Sequence, residues 1–363
     1  MKLPAAKILK NYYFISSPLH LLIASNLAAQ VPDAYGVAII ISKNATQASH
    51  YKNALLSVQN IFKDQILLDY PNKQDSMGKR FRLYRKRRAI LKGMFANAEN
   101  KNIYTGNDRR HEFQYAMYIS SKNCAETQGI YMDDGAVSYL GHKSLNRIAH
   151  NYIDPLLHYI LYGPWWRHAK TTGASSWISK LYLAFPGLAH GLLKSKPKEA
   201  INSEGFRSNA VLDLTRQLLE LLSVNVDEIK AVSVLFVLPA EADFRKNLNT
   251  ILTCYRDVSA RFSPAGIAIK AHPRSTNDQQ INDIFQGAYI INKLVGMEML
   301  VPHLKSSTII IGDVSSSLLT TKWLRPQLTV YTLEGGSVNQ GLSGLFNSLD
   351  IHTFEDQKIK LFD

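Results

Sequence analysis

The chain has 363 residues, 42 Lys and Arg against 29 Asp and Glu for a formal charge of +13, and 46% hydrophobic side chains. At the usual ~100–200 residues per domain this length is two domains, each with apolar material for its own core, which excludes disorder and collagen-like repeats. The positive excess points to an anionic counterpart: nucleic acid, a membrane surface, an acidic polymer or a phosphorylated small molecule.

Short β-branched or aromatic runs alternate with stretches of helical period, the pattern of β-α units around a mostly parallel sheet, and it occurs twice. In the first half, strands are expected at Tyr12 to Ile15, Val37 to Ile41, Gln65 to Leu68, Ile103 to Tyr104 and Ile130 to Met132. Helices between them begin near Pro18, Thr46, Gly78 and Arg110, and Pro18 after Ser16 and Ser17 fits a first helical position behind a capping serine. From about Tyr139 to Gly205 the chain turns aromatic, with His and Pro and no clear strand, so helices and loops of the first domain are expected there. Lys194 to Lys198 has the most linker-like composition, and helical period returns over Ala210 to Leu222. Strands resume at Val232 to Val237, Gly266 to Ala271, Tyr289 to Ile291, Thr308 to Ile311 and Leu328 to Tyr331. The expected division is residues 1–205, 206–345 and a C-terminal tail or helix at 346–363, with the boundary between about 195 and 230. Two doubly wound α/β domains facing each other place a site in the cleft at the strands' carboxyl ends. There is no fixed-period repeat, no GxGxxG and no P-loop.

Met1 to Lys10 has three lysines but no apolar core with a cleavage site, so no secretory signal is expected, and no run approaches the ~20 apolar residues of a spanning helix. Cys124 and Cys254 form neither a disulfide framework nor a metal-binding spacing. A cytoplasmic protein is expected, soluble or resting on the inner face of the membrane.

Three segments carry groups suited to chemistry. Tyr131-Met-Asp-Asp-Gly135 ends an apolar strand in two carboxylates and a glycine free to turn. Adjacent acids there point in different directions, so one can face the cleft as a base while the other braces the loop, unless the segment is an ordinary Asp-Gly turn. Ile267-Ala-Ile-Lys-Ala-His-Pro-Arg274 runs into a loop with Lys270, His272 and Arg274, all suited to an anion, and Pro273 restrains the backbone beside the imidazole; a solvated basic turn is the alternative. Ile309 to Leu318 passes through a glycine into Ser315, Ser316 and Ser317 at the start of a helix, where hydroxyls and free N–H groups make an anion site without a metal; plain capping needs only one of the three. An acidic strand end in one domain and two phosphate-suited loops in the other is the arrangement of a two-domain transferase. Arg109, Arg110, His111 and His142 are candidates for the acceptor side, and His20 is a candidate for the site itself.

Asp133-Asp134-Gly135, then His272-Pro273, then Ser315-Ser316 resemble in order and spacing the D/E-D/E-G, HP and serine motifs of the bacterial sialyltransferase and polysialyltransferase superfamily. Phe14-Ile-Ser-Ser-Pro-Leu-His20 is similar to the Ser-Pro-Leu segment that opens many of those chains, and the likeness runs over roughly residues 12–325. The resemblance implies a GT-B fold, a CMP-activated nonulosonic acid as donor, and metal-independent transfer to a sugar hydroxyl of a bacterial surface glycan, free or lipid-linked. It implies Asp133 as general base with Asp134 in support, His272 stabilising or protonating the leaving CMP phosphate, and Ser315 and Ser316 holding it. Lys270, Pro273, Arg274 and Ser317 belong to the same donor side, and Ser16, Ser17, His20 and Gly135 to the acceptor side. No cofactor beyond the CMP-sugar is expected. Sialic, pseudaminic and legionaminic acids are not distinguished by any residue spacing here.

Residues 79–92 hold eight cations, including Lys79, Arg80, Arg82, Arg85, Lys86, Arg87 and Arg88. On a helix they form a basic, partly amphipathic surface for an anionic glycan, an anionic membrane or nucleic acid, or simply a solvated face. Tyr162, Trp165 and Trp166 are either core or interfacial aromatics. Two other readings stay open. A CDP-alcohol phosphotransferase would need a second catalytic histidine, for which His303 is the candidate. A nucleic-acid-binding protein would use residues 79–92 but leave the Asp-Asp-Gly and His-Pro loops unexplained.

Overall fold

Segments such as Tyr12 to Ile15 are apolar at every position rather than alternating, which suits parallel strands covered on both faces. The computed structural model describes residues 9–42, 44–58, 61–71, 74–123, 126–141, 154–333 and 340–354. His142, Cys124 and positions 355–363 of the expected tail lie outside the described residues. Two units divide at Met1–Leu214 and Thr215–Asp363.

The first unit runs β1 (Lys10–Ile15), α1 (Pro18–Ala29), β2 (Tyr35–Ile40), α2 (Ala45–Ser57), β3 (Asp64–Leu67), α3 (Met77–Phe95), β4 (Lys101–Thr105), α4 (His111–Asn123), β5 (Thr127–Met132), α5 (Val137–Leu140), α6 (Asp154–Tyr162), β6 (Ile178–Leu183) and β7 (Lys198–Ala200). Its seven strands are parallel in the order β3-β2-β1-β4-β5-β6-β7. Tyr12, Phe14, Ile39, Ile103, Tyr131 and Leu181 pack one face against Leu91 and Phe95 of α3 and Phe113 of α4.

α7 (Asn209–Leu221) crosses the division. The second unit continues with α8 (Val226–Ala231), β8 (Val234–Val237), α9 (Glu241–Lys246), α10 (Leu248–Ser259), β9 (Ile267–Lys270), α11 (Asp278–Ile284), β10 (Tyr289–Ile291), α12 (Met297–Leu300), β11 (Ile309–Gly312), α13 (Ser316–Leu324), β12 (Thr329–Thr332), α14 (Gln340–Asn347) and β13 (His352–Thr353). Its six strands are parallel in the order β10-β9-β8-β11-β12-β13, around Phe236, Ile251, Ile269, Phe285 and Ile311. In both sheets the strand order reverses beside the first strand, between β1 and β4 and between β8 and β11. That switch point is where loops diverge and leave a crevice.

Residues 139–205 differ from expectation: β6 and β7 stand where no strand was expected, and β7 occupies part of the linker-like Lys194 to Lys198 run. β7 is an edge strand held by ladder bonds and by Lys180 pairing with Glu199 at 2.7 Å, so it needs no apolar signature; β6 buries Ile178, Leu181 and Leu183 but interrupts them with Ser179 and Lys180, so it lacks a continuous apolar run. β13 likewise turns the start of the expected tail into a sheet edge. Among the described residues no helix is long and apolar enough to cross a membrane.

Asp108, buried just beyond β4, accepts from the backbone N–H of Gly173 at 2.9 Å and of Ser175 at 2.8 Å, fastening the loop before β6 to the sheet. Burial pushes its carboxyl up to about 6, although both donors and Lys196 pull the other way. Asp108→Asn offers one acceptor for two donors and turns an amide NH₂ toward a backbone N–H. It is expected to cost about 1–3 kcal/mol in urea unfolding at neutral pH, with the sheet itself retained by circular dichroism.

Candidate active site

Ser17 caps α1, its Oγ accepting from the His20 N–H at 3.1 Å, and Pro18 presets the first turn. This aims His20 into the switch point between β1 and β4. Its Nδ1 meets Ser16 Oγ at 3.0 Å and its Nε2 meets Asp134 Oδ1 at 2.9 Å. The imidazole crosses directly over Gly106, where an added Cβ would stand 1.9 Å from His20 Nε2, so a side chain there would displace the ring.

The two carboxylates differ in accessibility and in the number of donors each meets. Asp133 is 2% exposed, and its oxygens accept from Gly135 N, Ser138 Oγ and Ala184 N, each at 2.8 Å, and from Tyr139 Oη. Burial raises its pKa, and the hydroxyl and amide donors recover only part of that shift. A carboxylate with these four donors braces the loop, and Asp133 is not among the residues lining the neighbouring cavity. Asp134, one residue further and pointing the other way, keeps 26% of its side chain exposed and faces a cavity. Gly135 makes the intervening turn with φ of 69°. Ser16, Ser17 and Gly135 therefore support the site from behind; they are not among the residues lining the cavity.

The cavity, about 480 Å³, lies at the carboxyl ends of β4 and β5 and is lined in part by Arg109, Arg110 and His111. Its far wall is a stack of rings: His158 on Trp166 at 4.7 Å, Tyr162 on Trp166 at 4.8 Å and His111 on Tyr162 at 6.0 Å. Trp165 is core. Arg110 Nε, His111 Nε2, His158 Nδ1 and Trp166 Nε1 are buried with no hydrogen-bond partner among the described residues. That lining suits a ligand carrying both oxygens and a carbon ring face.

The basic segment is not one surface. Arg87 is buried, 3.3 Å from Glu112 and over the Tyr70 ring at 4.4 Å. Arg88 lies half-buried over Tyr115 at 4.4 Å, and Arg80 is half-buried too. Arg87 and Arg88 leave the expected patch because their aliphatic stems and planar guanidinium heads are used in packing, and Arg80 is withdrawn by its partial burial. Burial alone would raise Glu112, but its His111 hydrogen bond and the charges of His111 and Arg87 hold it below the usual carboxylate range. Lys79, Arg82, Arg85 and Lys86 remain exposed, Lys79 pairing with Asp75 at 2.6 Å and Lys86 with Asp69 at 2.8 Å.

In the second unit a pocket of about 200 Å³ opens at the switch point between β8 and β11, lined by Lys270, His272, Pro273, Ser315 and Ser317 together with Asp243 and Asp313. The Arg274 N–H donates to His272 Nδ1 at 3.1 Å, so the neutral ring carries its proton on Nε2. Burial, then Arg274 and Lys270, lowers the His272 pKa. Lys270 is buried, and desolvation pulls its ammonium down to about 8 with Glu298 opposing. Ser315 Oγ is buried and unpartnered. Two expected donor residues are placed elsewhere: Ser316 and the Arg274 side chain are exposed and do not line the pocket, because the helix turn carries Ser315 and Ser317 inward and the Arg274 backbone is the part engaged. His303 is buried against Thr215 at 2.8 Å and is not among the lining residues, which removes the second histidine that a CDP-alcohol phosphotransferase would need.

Sequence reasoning missed Gly106, His158, Asp243 and Asp313. Gly106 left a trace as a glycine straight after a strand. His158 sits in a helix with no chemical motif, and Asp313 stands inside the Ile309 to Leu318 segment, where the serines drew the reading. Among the described residues no cluster of three or more His, Cys, Asp or Glu side chains is disposed to hold a metal ion.

The fold is shared with known structures. The alpha/beta-galactoside alpha-2,3-sialyltransferase of the luminous marine bacterium Photobacterium phosphoreum superimposes with TM-score 0.57 at 13% identity, over 97% of this chain and 100% of that one. A sialyltransferase from Photobacterium damsela gives 0.52 at 12% identity, over 94% and 79%. A UDP-N-acetylglucosamine 2-epimerase gives 0.52 at 10% identity, over 93% and 80%. All point to GT-B architecture, with two Rossmann-like domains. No curated protein matches the chain by sequence. The model of the alpha-2,8-polysialyltransferase (POLYST) family matches residues 11–334, from within β1 to just beyond β12. The chain is a glycosyltransferase and belongs to the alpha-2,8-polysialyltransferase family.

Proposed function

We propose that the protein transfers a nonulosonic acid from its CMP conjugate to a hydroxyl of an acidic bacterial glycan, with Asp134 as the base and no metal ion. The observation that carries this reading is the His20–Asp134 contact of 2.9 Å on the wall of a cavity rich in arginine, imidazole and aromatic rings. Asp134 takes the proton of the acceptor hydroxyl as its oxygen bonds to the anomeric carbon of the donor. The bond from that carbon to the phosphate oxygen breaks, and the electron pair leaves with CMP. His20, buried behind Asp134, orients the carboxylate through that contact. The ring stack and Arg109 and Arg110 would hold the acceptor by sugar stacking and by charge. The second-unit pocket would hold the CMP phosphate with Lys270, the His272 Nε2–H and the Ser315 and Ser317 hydroxyls.

Because the two aspartates are assigned different work, their amides separate it. Asp134→Asn is expected to lower turnover of CMP-sialic acid by roughly 10²-fold or more at unchanged thermal midpoint and CMP affinity. Asp133→Asn is expected to lower the thermal midpoint, having lost an acceptor for buried donors. A stable, inactive Asp133→Asn beside an active Asp134→Asn would return the base to Asp133. Parallel assays with CMP-pseudaminic and CMP-legionaminic acids identify the sugar.

Calorimetric titration with CMP, CDP, UDP and GDP in EDTA tests the donor pocket. Selective CMP binding is expected, weakened roughly tenfold or more in His272→Ala by loss of a hydrogen bond to a charged phosphate. Lys270 is cationic below about 8, and the CMP phosphate, with its second pKa near 6, is a dianion there. Affinity should therefore fall as pH rises through about 8, with proton uptake on binding, and Lys270→Met should flatten that profile. Cytidine-indifferent binding, or binding that EDTA abolishes, overturns the assignment.

A further inference from the structure

Asp243 and Asp313 are out of keeping with the pocket they line. Lys270, His272, Ser315 and Ser317 on the same wall suit a phosphate, and a carboxylate nearby repels one. The two acids reach the pocket from different loops. Asp313 directly follows Gly312, the last residue of β11, and Asp243 lies in α9, the helix after β8; the two strands are paired at Val237 and Gly312. The fold itself makes little use of either carboxylate. Asp313 Oδ1 accepts from the N–H of its neighbour Val314 at 2.8 Å; beyond that, neither side chain has a hydrogen bond or an ion pair among the described residues. Glu241 of the same helix is by contrast engaged, pairing with Arg245 and accepting from the Thr276 N–H at 3.3 Å. Burial raises the Asp313 carboxyl against its Val314 hydrogen bond, and Asp243 adds to the rise against Lys246. Ser315 Oγ is likewise buried without a partner. Unused acceptors and an unused hydroxyl therefore line one pocket beside a buried amine. A bare anion would engage only the donors.

We propose that Asp313 and Asp243 accept hydrogen bonds from O–H or N–H groups that the donor carries beside its phosphate, and that they thereby select a nucleotide-sugar over a bare anion. A nucleoside monophosphate joined to a sugar has such groups on its ribose, on an amino-bearing base and on the sugar. A site built to pair with them rejects a ligand that lacks them, because its own polar groups are then left without partners. The carboxylates add a second discrimination, since a phosphate that brings no hydrogen to share meets their charge uncompensated. The inference rests on the second-unit pocket being the donor site. It asks neither acid to move a proton.

The test compares the native chain with Asp313→Ala and, separately, Asp243→Ala, by calorimetric titration with CMP, by the KM for CMP-sialic acid, and by thermal-shift titration with sulfate, an anion with no proton to share near neutral pH. Removing a negative charge from an anion pocket would by itself tighten all three. Loss of an acceptor is expected instead to weaken CMP or CMP-sialic acid by about tenfold or more, while sulfate binds as well or better. Parallel titrations identify the group that is read. An effect present with CMP and absent with 2′-deoxyCMP assigns the ribose 2′-hydroxyl, and one absent with UMP assigns the base amine. An effect shared by all three nucleotides assigns the 3′-hydroxyl, and one confined to CMP-sialic acid assigns the sugar. Asp243 is exposed, so its variant gives a folded comparison even where Asp313→Ala lowers the thermal midpoint. Unchanged or tighter binding of both cytidine ligands by the two variants overturns the proposal, as does a weakening that extends equally to sulfate. A native chain that binds sulfate but no cytidine nucleotide overturns the donor-site assignment and this inference with it, and that result is told apart because it needs no variant.

Discussion

The site in the first unit depends on one close approach, the passage of the His20 imidazole over the backbone of Gly106 to reach Asp134. β1 and β4 are adjacent parallel strands, and the helix after β1 and the loop after β4 diverge above them. Without a Cβ at position 106 the ring can lie in that divergence; with one, it would be displaced. Ser17 and Pro18 fix the first turn of α1, so the ring's approach follows from helix capping. On the far side Asp133 gives up its availability to hold the loop still. Its donors come from its own turn, from α5 and from the end of β6, three elements that converge on one buried carboxylate. The partly exposed Asp134 is thus carried by a loop that three elements brace through its neighbour Asp133.

Much of this architecture was legible as pattern. The ten strands read from apolar runs are present, because buried parallel strands must be apolar throughout. What escaped were β6, whose buried Ile178, Leu181 and Leu183 are interrupted by polar residues, and the short strands β7 and β13 at the sheet edges, held by ladder bonds rather than apolar content. Motif order also located Asp133, Asp134, Lys270, His272 and the serines at the carboxyl ends of their strands. The allocation of roles between neighbours was less accessible. Which of two consecutive aspartates faces inward depends on where the strand ends and on which donors await it, and Tyr139 and Ala184 are not motif residues. The same holds for Ser316 against Ser317, where one helical step decides between solvent and pocket. His158 illustrates a third limit: its partners Tyr162 and Trp166 are helix and turn neighbours that only become a wall once α6 packs beside α3 and α4.

The +13 charge, read at first as one affinity for something anionic, resolves into distinct environments. Arg87 is spent on Glu112 inside the first unit. Arg109 and Arg110 line a cavity walled by stacked rings. Lys270 stands buried in a narrow pocket where desolvation costs it part of its charge, so an incoming phosphate would meet an amine that gains by being protonated. Arg82 and Arg85 are free in solvent beside apolar side chains. A count of cations cannot separate these settings, because it omits the desolvation and the partners that give each charge its meaning.

On the proposed reading, the two proton tasks of the transfer are unequal. The acceptor hydroxyl must lose its proton as it attacks, and only a carboxylate held open to the acceptor can take it, which is the position of Asp134. The departing CMP phosphate has a second pKa near 6 and leaves as an anion without being protonated. A histidine facing it need not be a strong acid. His272 has its Nδ1 committed to the Arg274 N–H and a pKa lowered by burial and by two cationic neighbours, so near neutral pH it presents an Nε2–H that can donate a hydrogen bond without transferring a proton. The same burial that keeps His272 unprotonated strengthens that bond by excluding water. A neutral imidazole beside Lys270 also avoids placing two full positive charges in one small pocket before the phosphate arrives, leaving the site stable empty and strongest when the leaving charge has developed.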